Sequence, residues 1–352
     1  MATAAKSKLR RALEVLGILV AFFGLVLLLL WNDRPKVEEL QVDAWEGPLP
    51  ARDGRSELRA VWWGVATLLI DDGETQILID GFFSRPSVWQ AATMRPVVPD
   101  DAAIDAALAR LDARRVAAVI PVHSHFDHLM DSPTVARRTG ATILGSRSTG
   151  NYSRAQGIDD ARLIELPDGG TRALGKFEIE LINSKHAPIG RDAGPPMPGE
   201  IDEDFSLPAP ITAWREGGSY SLVLRHPAGT ILIQGSAGYV PGSLGHVKAD
   251  LVLLGLGGLG GLDQDYFDTY WHEIMTVTEA PVAVPIHFDD FSTPADDDEL
   301  KLFPRFLDDV GASFEWMRVA AERSGTTLRM LPRRDEVRLF SPAGRPLQPK
   351  PR

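Results

Sequence analysis

Residues 116–128 read VAAVIPVHSHFDH, a stretch that joins a strand pattern to a dense group of polar side chains. Its first seven residues form an apolar run typical of a buried strand. The next six hold three of the chain's eight histidines, His123, His125 and His128, together with Asp127. Because residues i and i+2 of an extended chain point the same way, His123 and His125 can face one metal ion. Asp127 and His128 follow after the chain turns and can reach a second point nearby. Imidazole and carboxylate are zinc ligands, so the stretch predicts a metal site rather than a solvated polar loop.

The composition of the 352-residue chain restricts its chemistry further. It contains no cysteine, which excludes disulfides, thiolate zinc sites, iron–sulfur clusters and cysteine nucleophiles. Apolar residues make up 44% and charged residues 24%, as in ordinary globular proteins. The net charge is −11, and so acidic a protein repels phosphate backbones. We therefore expect a globular protein that does not bind nucleic acid and holds any metal through His, Asp or Glu.

Residues 15–31 read VLGILVAFFGLVLLLLW and carry no charge. At 1.5 Å per residue a helix of this length spans roughly 25 Å, close to the minimum for a membrane crossing. Basic residues precede the run, so the positive-inside rule places residues 1–14 in the cytoplasm and the body outside. The alternatives are a cleaved signal peptide and a buried core helix, but no small-residue cleavage site follows and no polar face interrupts the leucines at 27–30. We expect an uncleaved single-pass anchor at 15–31 in the cell inner membrane, with the body on the periplasmic or extracellular side.

Residues 58–340 are predicted to form one α/β domain, between a linker at 32–57 and a flexible tail at 341–352. Helical spacing occurs at 102–112. Short apolar strand patterns lie at 59–63, 66–70, 75–79, 116–122, 143–144, 177–182, 220–224, 230–234, 250–254 and 282–286. Many short strands with interspersed helices favour two packed sheets flanked by helices over one doubly wound sheet.

The motif His-x-His-x-Asp-His after a strand resembles the signature of the metallo-β-lactamase fold superfamily. The resemblance covers about residues 58–290 and implies a four-layer αββα sandwich. Asp80, which ends a predicted strand, is similar to the aspartate that precedes the motif in that family. The segments 62–70 and 76–80 also resemble the branch that includes N-acyl-phosphatidylethanolamine phospholipase D and the ascorbate-lactone hydrolases. That branch often has Gly-His where this chain has Gly64-Val65.

The same resemblance implies further ligands from later loops. His186, in the sequence NSKHAP, and His287, in PIHF, are similar to the later ligand histidines of the family. It then implies His123, His125 and His186 for one metal and Asp127, His128 and His287 for the other. Without the first motif, a satisfied histidine at a strand end would be the simpler interpretation of His186 and of His287.

One position departs from the family pattern. Most members bridge the two metals with the aspartate of a Gly-Asp-Thr or Gly-Asp-Ser turn, whereas this chain has Ser236 in Gly235-Ser236-Ala237. A hydroxyl is a weaker zinc ligand than a carboxylate, so the second metal should bind more weakly. The third subclass of metallo-β-lactamases also has a serine here and keeps a similar two-zinc site. The expected zinc content is therefore one or two ions, and Ser236 could instead bond to the attacking water.

These features predict a membrane-anchored zinc hydrolase in which Asp127 orients the nucleophile and Ser236 assists it. The expected substrate is a small molecule or lipid, with a phosphodiester or ester of lipid or envelope origin foremost. A lactonase or β-lactamase-type amide hydrolase is the first alternative, and a non-catalytic metal-stabilised envelope protein is the second. The stretch 192–210, long and rich in proline and acids, is expected to cover the site as a lid. The oligomeric state stays open.

Overall fold

The computed structural model describes residues 2–188, 193–294 and 297–342, and their strands form two sheets. The strands of the first sheet are β1 (Leu49–Pro50), β2 (Leu58–Gly64), β3 (Thr67–Asp71), β4 (Gln76–Ile79), β5 (Val116–Ile120), β6 (Thr142–Gly145), β7 (Leu163–Glu165) and β15 (Glu336–Ser341). Their spatial order is β1-β15-β2-β3-β4-β5-β6-β7. The β4-β5-β6-β7 half is parallel, so the carboxyl ends of these strands share one edge of the sheet.

The second sheet likewise has an antiparallel half and a parallel half. Its strands are β8 (Gly170–Leu174), β9 (Phe177–Ser184), β10 (Ser219–His226), β11 (Gly229–Gln234), β12 (Leu251–Gly255), β13 (Val282–Ile286) and β14 (Thr327–Leu328). Their order is β14-β13-β12-β11-β10-β9-β8, with the β11-β12-β13-β14 half parallel. The inward faces of both sheets contribute to one large hydrophobic core, in which Ile79, Ile120, Leu222 and Ile233 are fully buried.

Helices cover the outer faces of both sheets, which confirms the predicted four-layer arrangement. The helices are α1 (Ala2–Asn32), α2 (Val88–Ala92), α3 (Asp101–Arg110), α4 (Phe126–Leu129), α5 (Ser132–Thr139), α6 (Arg147–Ala155), α7 (Gln264–Trp271) and α8 (Val310–Ser324). Ile104 of α3 and Val135 of α5 pack on the outer face of the first sheet in a second apolar cluster. Phe267 of α7 and Phe314 of α8 join the core at the second sheet.

The N-terminal region combines a long apolar helix with a segment packed on the body. Within α1, the stretch Leu13–Asn32 has a mean hydropathy of 2.8, and none of it is buried. Residues 32–57 differ from the linker predicted there: Leu40 is buried in the main core, and β1 pairs in parallel with β15. The apolar residues that pack here are scattered between charged residues, so the sequence of this segment shows no periodic pattern. The predicted tail lies, except for residues 341 and 342, outside the described residues.

Candidate metal centre

The predicted motif lies at the carboxyl end of β5, in the turn that leads into α4. Val122 donates its backbone N–H to Asp80 Oδ1 at 2.9 Å, and Ser124 donates its N–H to the Glu216 carbonyl at 3.0 Å. These bonds hold the chain extended through His123 and His125. α4 then begins at Phe126, so Asp127 and His128 turn away on the first helical residues. The local fold therefore separates the motif into two pairs of side chains, as the spacing predicts.

His123, His125 and His186 form the first triad, with one ligand nitrogen from each within 4.8 Å of the others. His123 Nε2 lies 2.9 Å from His125 Nδ1. Burial, reinforced by the neighbouring imidazoles, places the pKa of His123 well below its usual range. Burial likewise lowers the pKa of His125 and of His186 to about 4. All three rings are therefore neutral at pH 7, the state in which an imidazole nitrogen binds a metal.

Asp127, His128 and His287 form the second triad. Asp127 Oδ2 lies 3.4 Å from His128 Nε2 and 3.4 Å from His287 Nε2, and the two nitrogens are 3.2 Å apart. The three ligand atoms thus outline a nearly equilateral triangle. Burial alone would raise the pKa of Asp127, but the nearby His128 and His287 outweigh it and lower the pKa. The carboxylate is therefore ionised and available as a ligand.

Asp80 orients His128 of the second triad through a buried contact. Its Oδ2 lies 2.7 Å from His128 Nδ1, and both side chains are fully buried. Burial alone would lower the pKa of His128, but the carboxylates of Asp80 and Asp127 outweigh it and raise the pKa. With its proton on Nδ1 facing Asp80, His128 presents Nε2 to the site.

Strained backbone surrounds this second triad. Asp80, Val65 and His287 have φ values of 58°, 52° and 54°, a region that non-glycine residues rarely adopt. The His287 N–H donates to the Val65 carbonyl at 2.8 Å, and the Val65 N–H donates to Asp289 Oδ1 at 2.6 Å. Backbone strain of this kind clusters at functional sites, where the surrounding structure enforces it. The hydrogen bonds of Val65 fix the position of the His287 backbone.

Two glycines leave room for His186 and His287, the two ligands that come from later loops of the chain. A Cβ at Gly257 would lie 2.7 Å from His287 Nδ1 and 2.9 Å from the His287 carbonyl oxygen. A Cβ at Gly238 would clash with the backbone of Lys185 and His186. Close backbone contact at these positions therefore depends on the absence of a side chain.

A cavity of about 410 Å³ opens onto both triads and contains Ser236. Ser236 is 5% exposed, and its Oγ has no hydrogen-bond partner in the described part of the chain. Asp308 lines the same cavity and accepts hydrogen bonds from the N–H groups of Gly258 and Gly260 at 2.8 and 3.0 Å. Burial raises the pKa of Asp308 to about 6. The cavity thus holds a serine hydroxyl and a second carboxyl group besides the ligands.

The residues present fit two metal ions. A tetrahedral zinc ion with bonds of about 2.0–2.1 Å separates its ligand atoms by about 3.3 Å. The 3.2–3.4 Å edges of the second triad match that separation. The first triad offers three neutral imidazoles, and the unpartnered Ser236 Oγ lies in the cavity beside both. The donor set of nitrogen and oxygen atoms suits zinc.

Comparison with known proteins identifies the family of this chain. The family model described as the Metallo-beta-lactamase superfamily matches residues 60–284, more than half of the chain. The chain belongs to the metallo-beta-lactamase superfamily. The match includes five of the six triad residues and ends shortly before His287. Membership confirms the resemblance inferred from the motif.

Among curated relatives, the UPF0173 metal-dependent hydrolase of Chelativorans sp. (strain BNC1) is 28% identical over 130 residues, 37% of this chain and 49% of the relative. The protein of the same name from Heliobacterium modesticaldum is 31% identical over 129 residues, 37% of this chain and 45% of the relative. The chain spans about half the length of these relatives.

Among solved structures, the metallo hydrolase Igni18 from Ignicoccus hospitalis covers 80% of this chain and 98% of its own, with 15% identity and a TM-score of 0.48. The isothiocyanate hydrolase from Delia radicum gut bacteria covers 79% and 98%, with 17% identity and a TM-score of 0.46.

The structure brings together the six residues predicted as metal ligands, and it places Ser236 in the cavity beside them. In the predicted lid, Pro196 and Met197 line the cavity, and the Pro196 carbonyl accepts a hydrogen bond from His125 Nε2 at 3.0 Å. Residues 189–192 lie outside the described residues. Sequence reasoning missed Asp308 and the aromatic wall of the cavity. No motif marks either of them.

Proposed function

We propose that this protein is a membrane-anchored, zinc-dependent hydrolase that cleaves a carboxylic ester or lactone of lipid origin. The observation that carries the metal assignment is the triangle of ligand atoms formed by Asp127, His128 and His287. Its dimensions match a zinc coordination face although Ser236 stands where most members have a bridging carboxylate. Two zinc ions are therefore proposed, one at each triad.

Zinc held by these triads would lower the pKa of a water molecule to about 7 and polarise a carbonyl group. Asp127 lines the cavity and is ionised, so it can accept a hydrogen bond from the attacking water and orient it. Ser236 Oγ, which has no partner in the described structure, can donate a hydrogen bond to the water or the substrate. Asp308, with a pKa of about 6, can carry a proton to the leaving group.

The cavity walls favour an apolar substrate. Met197, Ile211, Phe291, Phe303 and Leu307 line it beside the ligands. Its described lining contains neither Lys nor Arg, so no side chain there adds a positive charge, beyond that of the proposed zinc ions, to bind a phosphate group. An acyl chain attached to an uncharged ester or lactone suits such walls better than a phosphodiester does. The membrane anchor proposed at 15–31, with the body on the periplasmic or extracellular side, would place the cavity near such substrates.

A substrate panel tests this proposal on the zinc-loaded full chain in detergent. The panel consists of p-nitrophenyl esters of increasing acyl length, long-chain lactones and bis(p-nitrophenyl) phosphate. We expect turnover of esters or lactones that increases with acyl length, and at least a 100-fold loss of kcat/KM in His125→Ala. His246→Ala is the matched control, because His246 bonds to Glu180 and lies outside both triads.

Cleavage of the phosphodiester without any ester or lactone turnover would contradict the substrate class. Turnover at wild-type rates in His125→Ala would contradict the site itself.

A further inference from the structure

In the part of the body that the structure describes, the exposed large apolar side chains lie in two segments. In the described residues after α1, the exposed large apolar side chains are Trp89 (64%), Met94 (48%), Val98 (52%), Phe306 (50%) and Leu307 (51%). They occupy only α2 with the chain that follows it, at 88–98, and the loop at 303–307. We call these two segments the apolar rim. Elsewhere the described surface of the body carries no apolar side chain of comparable size and exposure.

The apolar rim lies at the mouth of the metal cavity. Ala91 of α2 lines the cavity from one segment, while Phe303 and Leu307 line it from the other. The exposed side chains of Trp89 and Phe306 therefore project from the same two segments that enclose the entrance. An exposed apolar patch marks a surface that contacts a membrane, another protein or a ligand.

The same rim adjoins the end of the apolar helix α1. The ring of Phe306 lies 6.5 Å from that of Trp31, centroid to centroid. On the other side, Val88 of α2 lines a groove together with Trp31. Both rim segments thus meet the last turn of α1, where an aromatic residue would sit at the membrane–water interface.

Polar contacts fix the helix end to the body. Arg34 forms an ion pair with Asp290 at 2.6 Å and donates to the Leu302 carbonyl at 2.7 Å. The Arg305 N–H donates to the Asp33 carbonyl at 2.9 Å. These bonds tie the start of the body to the loop that bears Phe306, so α1 and the rim keep one relative position.

We infer that the apolar rim is a second membrane-binding surface, on which the mouth of the metal cavity rests against the bilayer that α1 crosses. This inference rests on the proposed anchor and extends it, because a helix alone does not determine which face of the body meets the membrane. The occupant is the lipid surface, since the rim is continuous with the end of the span. An apolar substrate then enters the cavity from the bilayer without crossing water.

The absence of cysteine allows a direct test on the full chain. Single cysteines replace Met94, Phe306, Gly24 and Arg172, and each is labelled with the environment-sensitive fluorophore NBD. The chains are reconstituted into vesicles of phosphatidylethanolamine and phosphatidylglycerol. Gly24 lies in α1, where an added Cβ meets nothing within 4 Å, and Arg172 is exposed on the edge strand β8.

We expect labels at 94 and 306 to be quenched by shallow spin-labelled lipid at least threefold more than the label at 172, and to be protected from aqueous iodide. The label at 24 should be quenched by deeply placed spin labels. Lipid quenching at 24 with iodide access at 94 and 306 equal to that at 172 would overturn the inference while leaving the anchor intact. Iodide access at 24 as well would overturn the proposed anchor and the inference together.

Discussion

Replacing Asp80 by Asn should weaken one metal site selectively. Asp80 Oδ2 lies 2.7 Å from His128 Nδ1, with both side chains fully buried, so the substitution removes the charge from an enclosed hydrogen bond. Such charge-assisted bonds contribute roughly 1.5–3 kcal/mol. Asn is nearly isosteric and tolerates the φ of 58° at this position, so the fold should persist. Loss of a partner behind a metal-binding histidine typically lowers metal affinity about 10–100-fold.

Zinc titration of the full chain against a chromophoric chelator measures the two dissociation constants. We expect the weaker constant to rise about 10–100-fold in Asp80→Asn and the tighter one to change by less than about threefold. Asp131→Asn is the matched control, because this buried carboxylate bonds to Ser84 and Phe83 and to neither triad. Equal weakening of both sites, or the same effect in the control, would refute the role assigned to Asp80.

Three further predictions follow from named contacts. Gly257→Ala should lower the zinc content from about two ions per chain toward one, because the added Cβ would lie 2.7 Å from His287 Nδ1. Gly261→Ala is the control and should leave the zinc content unchanged, because an added Cβ there meets nothing within 4 Å. Ser236→Asp should tighten the weaker zinc constant on the order of tenfold in the same chelator titration, since it adds a carboxylate beside a triad that has one; an unchanged constant would place position 236 away from the metals. Burial raises the pKa of Asp131 from its ordinary value of about 4 to about 6, so its contribution to stability is fully present below about pH 4 and is lost as pH rises through 6. In urea unfolding, the wild type should therefore lose up to about 3 kcal/mol relative to Asp131→Asn between pH 4 and pH 7; a difference that stays constant with pH would contradict this.

The metal centre was largely predictable because its chemistry is local. His123, His125, Asp127 and His128 lie in one turn, where strand and helix periodicity determine which side chains share a direction. His186 and His287 gave no such signal from spacing. They are separated from the motif by whole strands, and only the family resemblance connected them to it.

Two of the strands that the sequence missed, β1 and β15, pair over a long distance along the chain. β1 has only two residues, too few to show a periodic pattern, and its partner β15 lies near the other end of the chain. The packing of Leu40 on the core has the same origin. Tertiary contact, rather than local propensity, orders these segments.

The cavity wall was unpredictable for a related reason. Phe291, Phe303 and Asp308 lie in irregular loops whose positions depend on how they pack together. The raised pKa of Asp308 arises from burial that no local pattern encodes. Loop segments of this kind determine substrate choice, whereas the motif determines only the chemistry.

Metal content per chain tests the central claim most directly. The full chain is purified without chelator, loaded with excess zinc, desalted and analysed by inductively coupled plasma mass spectrometry, in parallel with His287→Ala. Two triads of closely spaced ligands, each with two buried residues and one partly buried residue, predict about two zinc ions in the wild type and about one in the variant. One ion or fewer in the wild type, or an unchanged content in His287→Ala, would contradict the two-metal centre.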